Sequence, residues 1–184
     1  MIDVVTTEPI FTVPFLHLRV DDWGEKKEDI LKLCIDKNLE LRKDKDDFVN
    51  SDYHLLTDNK LPNYSERVGE ILKQEIKTFN EIFNVNYKIK DAWFEKASKE
   101  QHHAVHNHGM TGFSSVCFVE YDENVHTPTK FISPYSNFVN GSCLDHSPKN
   151  VIEGSLIFFP SAILHYTHPN NNNNIRTILS FNLV

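Results

Sequence analysis

The sequence predicts a mainly β fold, a sandwich or barrel with helices packed on its outside, and three observations lead to it. Amphipathic helical patterning is confined to the first half of the chain and ends near Asn86. Beyond that point the apolar period changes from helical spacing to alternation, the mark of strands whose side chains point to opposite faces in turn. The apolar runs that follow are short and are separated by Gly, Pro, Asn and Asp clusters, which read as turns.

Taken in order, "PIFTVPFLHLRV" (9–20) is rich in β-branched and aromatic residues and reads as one or two opening strands. From Asp22, "DWGEKKEDILKLCIDKN" sets Ile30, Leu31, Cys34 and Ile35 on one helical face, with Asp22 placed to cap it. Residues 39–62 are charged and irregular and read as a loop or short excursion. Ser65 opens a second helix, "SERVGEILKQEIKTFNEIFN", with Val68, Ile71, Leu72, Ile76, Phe79 and Phe83 at helical spacing. The strand segments are "YKIKDAWFEKAS", "GFSSVCFVEYD", "TKFISP", "GSLIFFPS", "ILHYTHP" and "IRTILSFNLV". The run Asn170–Asn174 between the last two reads as a solvated turn. Two helices followed by many short strands place the helices outside a β core. The expected organisation is a single domain over 1–184, with helical support in 22–86 and the barrel in 87–184.

A chain of 184 residues, 40% hydrophobic and with 13 phenylalanines, has the material for a full core, which excludes a disordered chain. A net charge of -7 argues against a broad nucleic-acid footprint, and no apolar run approaches the roughly 20 residues of a membrane span. Cys34, Cys117 and Cys143 are widely spaced and form no CxxC pair, as expected of reduced thiols in a cytoplasm. The N-terminus lacks the basic and apolar regions of a signal peptide.

Four of the ten histidines fall between positions 102 and 108. His106 and His108 are two apart, so extended backbone sets both imidazoles on one face, where they can take adjacent corners of a metal ion. A third ligand must come from elsewhere, and His165, after a buried-looking strand and a Pro-Ser turn, is the best placed. Imidazole suits Fe, Zn, Cu and Ni alike. His102 and His103 read as loop residues or outer partners, His168 as a rim residue, and His126 and His146 carry no spacing signal. Arg176 lies 11 residues after His165 inside an apolar strand. A buried guanidinium needs an anion, and its geometry favours a carboxylate held by two parallel hydrogen bonds.

His-x-His, then "GFSSVCFVEY", "GSLIFFPSAILHYTHPN" and "RTILSFN", resembles the iron(II)/2-oxoglutarate-dependent oxygenases, in the small prolyl-hydroxylase-like branch common in marine phages. The resemblance runs from about Trp93 to Asn182. It implies a double-stranded β-helix, a jelly-roll or cupin-like barrel open at one end, with Fe(II), 2-oxoglutarate and O₂ as cofactor and cosubstrates. His106 and His165 match the first and distal iron ligands, and Arg176 the residue that pairs with the far carboxylate of 2-oxoglutarate. Ser180 stands in the tail of the motif as a further cosubstrate contact, although Ile178 replaces an earlier serine. The family usually presents His-x-Asp or His-x-Glu. His108 in its place gives three neutral ligands; the alternative is that His108 instead hydrogen-bonds the cosubstrate or water.

The implied reaction decarboxylates 2-oxoglutarate to succinate while hydroxylating a C–H bond of a peptide, prolyl residues included, or of a small molecule. Trp93 and Phe94 are expected to line the cavity or to sit in ordinary core. No nucleic acid or membrane partner is expected, and the location is the cytoplasm, that of the host for a phage-encoded chain. Competing readings are a three-histidine cupin-type dioxygenase that uses no 2-oxoglutarate, a non-catalytic phage structural or binding barrel, and a three-histidine zinc hydrolase.

Overall fold

The computed structural model describes residues 11–35, 38–42, 48–57 and 64–184. The first strand, β1 (Leu16–Arg19), is followed by helix α1 (Trp23–Leu33). Asp22 occupies the cap position in the left-handed conformation (φ 51°), and its backbone carbonyl accepts the first helical N–H groups, from Glu25 and Lys26. Its side chain makes no capping bond, unlike the sequence expectation. The backbone turns extended at Cys34, so the helix buries Ile30 while Ile35, beyond its end, is exposed.

The stretch expected as a loop holds structure: β2 (Glu40–Arg42), β3 (Val49–Ser51) and the short helix α2 (Tyr53–Thr57). Val49 and Ser51 are buried because β3 pairs with the next long strand. Residues 9–10, 36–37, 43–47 and 58–63 of the stretches read above lie outside the described residues. The second predicted helix is two, α3 (Ser65–Ile71) and α4 (Lys73–Phe83), joined at Leu72. Val68, Leu72 and Phe79 from the predicted stripe are fully buried, and Ile71, Ile76 and Phe83 lie partly buried against them.

The remaining strands are β4 (Ile89–Ala97), β5 (Phe113–Glu120), β6 (Lys130–Ile132), β7 (Asp145–His146), β8 (Ser155–Pro160), β9 (His165–Tyr166) and β10 (Arg176–Leu183). They form two antiparallel sheets: a seven-stranded one in the order β1-β8-β5-β10-β4-β3-β2 and a three-stranded one in the order β7-β6-β9. β7 was not foreseen; two exposed residues carry no alternation to detect.

The large sheet is covered on both faces, which is why β5, β8 and β10 read as almost unbroken apolar runs. On one face Phe94, Cys117, Phe158, Leu179, Phe181 and Leu183 meet the helices through Val68, Leu72 and Phe79. On the other, Val116, Phe118, Ile157, Phe159 and Ile178 meet Phe131 of the small sheet. That second face carries the site. Along β10 its inward series is Arg176, Ile178, Ser180 and Asn182, paired across β4 with Ala97, Glu95, Trp93 and Asp91.

Candidate metal centre

The segment 102–108 runs alongside β9 without forming a ladder of its own, touching it through one isolated antiparallel bridge, His106 opposite His165. Two backbone hydrogen bonds close that bridge, His106 N to His165 O at 3.0 Å and His165 N to His106 O at 2.9 Å. His108 N donates to Ser161 O at 2.9 Å, holding the next turn of the segment in place. Extended backbone then turns His106 and His108 to one side, as their spacing predicted. The three rings converge, with centroids 4.2 Å apart for His106–His165, 4.9 Å for His108–His165 and 5.2 Å for His106–His108. One potential ligand atom from each lies within 4.8 Å of the others.

The tautomers agree with metal binding. His106 Nδ1 faces the carbonyl of Ala104 at 2.7 Å and His165 Nδ1 that of Ile163 at 2.9 Å. A carbonyl only accepts, so each Nδ1 carries the proton and Nε2 is the nitrogen presented as a ligand. His108 is fixed less directly. Asn182 Nδ2 donates to Asp91 Oδ1 at 2.6 Å, which orients the amide and turns Asn182 Oδ1 to His108 Nδ1 at 3.0 Å. Ser114 Oγ, bonded to Asn182 Oδ1 and Ser161 Oγ, stands 2.8 Å from the same nitrogen. Burial, then the charge His106 would carry, pushes His108 down to about 4, and the same causes hold His165 well below the usual histidine range. Neutral imidazoles with converging Nε2 atoms are the donor set a divalent ion requires, so the residues present fit the metal.

Arg176 is 3% exposed at the far end of the same face. Its Nη1 donates to Thr127 O at 3.1 Å, while Nε is buried with no hydrogen-bond partner. No carboxylate among the described residues pairs with it. Burial disfavours its charge, and Glu95 and then Tyr121 favour it; a guanidinium keeps its proton regardless. A buried cation with an orphaned donor is the counterpart a cosubstrate carboxylate would satisfy. Ser180 is buried between Arg176 and the histidines on the inward series of β10.

A family model described as a putative 2OG-Fe(II) oxygenase matches residues 91–182, half of the chain. The chain belongs to that family. It is therefore a 2-oxoglutarate-dependent oxygenase that uses iron, 2-oxoglutarate and O₂. No curated protein sequence matches this oxygenase. Its fold is that of solved structures whose sequences have diverged far from it. The carbocyclase SnoK from nogalamycin biosynthesis is 8% identical at a TM-score of 0.64, covering 92% of this chain and 78% of its own. A viral collagen prolyl hydroxylase from Paramecium Bursaria Chlorella virus-1 is 13% identical at 0.59, covering 92% and 94%. HygX from Streptomyces hygroscopicus, solved with nickel, 2-oxoglutarate and hygromycin B, is 10% identical at 0.58, covering 94% and 83%. These are double-stranded β-helix folds, and the two sheets of this oxygenase form the same architecture. Membership sets aside the cupin-type dioxygenase without 2-oxoglutarate, the non-catalytic barrel and the zinc hydrolase. No helix among the described residues is long and apolar enough to cross a membrane.

The other sequence-singled residues fall as follows. Trp93 faces the histidines, its ring 5.0 Å from that of His108, whereas Phe94 is fully buried on the opposite, helix-covered face. His103 is buried against Glu95, His102 bridges Phe48, and His168 is an exposed rim residue beside Tyr166. The asparagine run is more than a solvated turn: Asn170 is buried, and its amide donates to Ala97 O and Asn174 O. His126, without any spacing signal, is also buried, spanning Asp122 N and Asn174 O. Missed altogether were Glu95 and Asn182 as partners of the histidines and Asp91 as the partner of Asn182. The available signal was parity, because residues 91, 93, 95 and 97 share one face of β4.

Proposed function

We propose that His106, His108 and His165 hold the iron, that Arg176 binds the distal carboxylate of 2-oxoglutarate with Ser180 beside it, and that the enzyme hydroxylates an unactivated C–H bond. The observation that carries this reading is the tautomer of the three histidines, set so that Nε2 is presented at one end of the barrel, with a buried Arg176 Nε that has no hydrogen-bond partner among the described residues at the other. Bound iron, 2-oxoglutarate and O₂ supply the oxidising power, with 2-oxoglutarate lost as succinate and CO₂ and one oxygen atom inserted into the substrate.

The chain's own part is placement and exclusion. Arg176 would hold the far carboxylate of the cosubstrate, and the apolar cluster of Val116, Phe118 and Ile178 on the same face would limit water there. A cavity of about 250 Å3 opens on His103, His106 and His108, with Tyr53, Trp93, Asn107 and Asn182 completing its lining. Among the described residues no carboxylate, lysine or arginine lines it, and the reacting part of the substrate is read as neutral. A prolyl ring in a peptide or a polar small molecule meets that description, and two neighbours in fold are named as prolyl hydroxylases. Cys34, Cys117 and Cys143 form no disulfide with one another, which supports a reducing compartment such as the cytoplasm.

The test is iron-reconstituted protein supplied with 2-oxoglutarate and assayed for succinate against proline-containing peptides and neutral metabolites. Stimulation by one class names the substrate class. Absence of succinate with iron bound would sink the reading of Arg176 as cosubstrate anchor.

A further inference from the structure

A carboxylate is missing from the ligand set, yet one lies just outside it. Glu95 leaves β4 on the inward face and is 4% exposed. His103 Nδ1 stands 3.0 Å from its Oε1 and 3.1 Å from its Oε2, and Trp93 Nε1 donates to Oε1 at 3.1 Å. Both donors touch the histidine cluster. The His103 ring is stacked on His106, centroids 3.7 Å apart and planes 17° from parallel, and the Trp93 ring meets His108 edge-on at 5.0 Å. His103 is held from both sides by Thr167, whose Oγ1 accepts from His103 N at 2.9 Å and whose N–H donates to His103 O at 3.0 Å. One buried carboxylate thus reaches two of the three histidines through two rigid rings.

We propose that Glu95, acting through His103 and Trp93, is a positioning and charge-compensating residue of the metal centre. It supplies from outside the ligand shell the negative charge that a two-histidine, one-carboxylate triad carries on the metal itself. The inference rests on the reading of His106, His108 and His165 as ligands.

The physical reason is that a carboxylate this deeply buried is costly without a compensating cation. Two cations are at hand, a metal among the three histidines and Arg176. Arg176 feels the field of Glu95, but no ion pair joins them; its guanidinium is tied instead to Thr127 O. The carboxylate's hydrogen bonds all run to the metal side. His103 joins the two, its Nδ1 donating to Glu95 while its ring lies on that of His106. Three neutral ligands would leave the ion's full charge at the site, and Glu95 would offset part of it from outside the ligand set.

The test is Co(II) affinity of the metal-free protein, measured without 2-oxoglutarate, for wild type, Glu95→Gln and Glu95→Asp. The expected result is a loss of roughly 10- to 100-fold for Glu95→Gln, the usual range for groups that orient ligands from outside. A changed visible spectrum of the bound Co(II) should accompany it, and Glu95→Asp should recover most of the affinity. Equal Co(II) affinity in Glu95→Gln and wild type overturns the inference, as does an Asp variant no better than Gln. Should Glu95→Gln not fold, Trp93→Phe removes the N–H donated to the carboxylate, together with part of the ring that meets His108. It should weaken Co(II) binding several-fold, and an unchanged affinity overturns the inference. Failure of the underlying reading looks different, because wild type itself would then bind no stoichiometric Co(II) or His165→Ala would bind it undiminished. A weakened affinity for 2-oxoglutarate with intact Co(II) binding would assign Glu95 to Arg176 instead and also overturn the proposal.

Discussion

Asn182 Oδ1 stands 3.0 Å from His108 Nδ1, and the amide is held in that sense because its other end donates to Asp91. The tautomer of the unusual middle histidine is therefore set from β10 and β4, outside the segment that carries it. Replacing Asn182 by Ala should lower metal affinity by about 10- to 100-fold. In a His108→Ala background the same change should add little, since both act on one imidazole. Isothermal titration with Co(II) measures both; additive losses would show that Asn182 acts elsewhere.

Arg176→Ala should abolish 2-oxoglutarate turnover while leaving the fold and metal binding intact. Removing one partner of a buried charged pair costs about 2–5 kcal/mol, or roughly 30- to 5,000-fold in cosubstrate affinity. Arg176→Lys should recover only part, because a single ammonium lacks the two-pronged geometry. Normal succinate production by Arg176→Ala would remove the anchor role.

His165→Ala should lose iron, read by metal analysis after anaerobic reconstitution. His108→Asp should retain it, since a carboxylate restores the commoner triad. Iron retained by His165→Ala at wild-type stoichiometry would take that histidine out of the ligand set.

Acid should destabilise the metal-free protein before its carboxylates titrate. An imidazole in the unfolded chain titrates near 6.5, whereas burial and then His106 push folded His108 down to about 4. Between those values the unfolded chain binds more protons, so stability falls as pH falls through the window and returns as pH rises. His108 alone contributes about 3 kcal/mol across it, and His165 acts in the same direction. Urea unfolding of the apo protein at pH 7 and near pH 4.5 reads the difference; equal midpoints would contradict it.

Phe79→Ala should cost about 3–5 kcal/mol, because the ring is fully buried and stacked on Phe158 at 4.7 Å. Gly112→Ala should also destabilise. Its φ is +83°, and an added Cβ would come within 2.6 Å of the Leu183 carbonyl, a backbone atom that cannot swing away. Thermal unfolding of each variant, compared with wild type, checks both.

The long elements were legible in the sequence because their periodicity is long enough to read. β4, β5, β8 and β10 stand where alternation or an apolar run put them, and the buried stripe of α3 and α4 follows the helical spacing. β2, β3 and β7 were not legible: two or three residues form a strand there only because a neighbouring strand is present to pair with. Within the candidate site, His106, His108, His165 and Arg176 were singled out from residue type and order along the chain. Glu95, Asn170 and His126 were not, because each gains its meaning from a partner brought in by tertiary structure. Glu95 in particular reads as an ordinary strand charge until the pairing of β4 with β10 turns it inward.

The bridge between His106 and His165 has a consequence for how such a site diversifies. Two of the three proposed ligands face each other across a pair of main-chain hydrogen bonds, so their separation is inherited from β-ladder geometry and owes little to the identity of nearby side chains. The loops between β5 and β8 can therefore change in length and chemistry without altering the bite of the two imidazoles. Substrate preference can drift while the redox machinery stays the same, which suits a fold whose structural neighbours share only about a tenth of their residues with this chain.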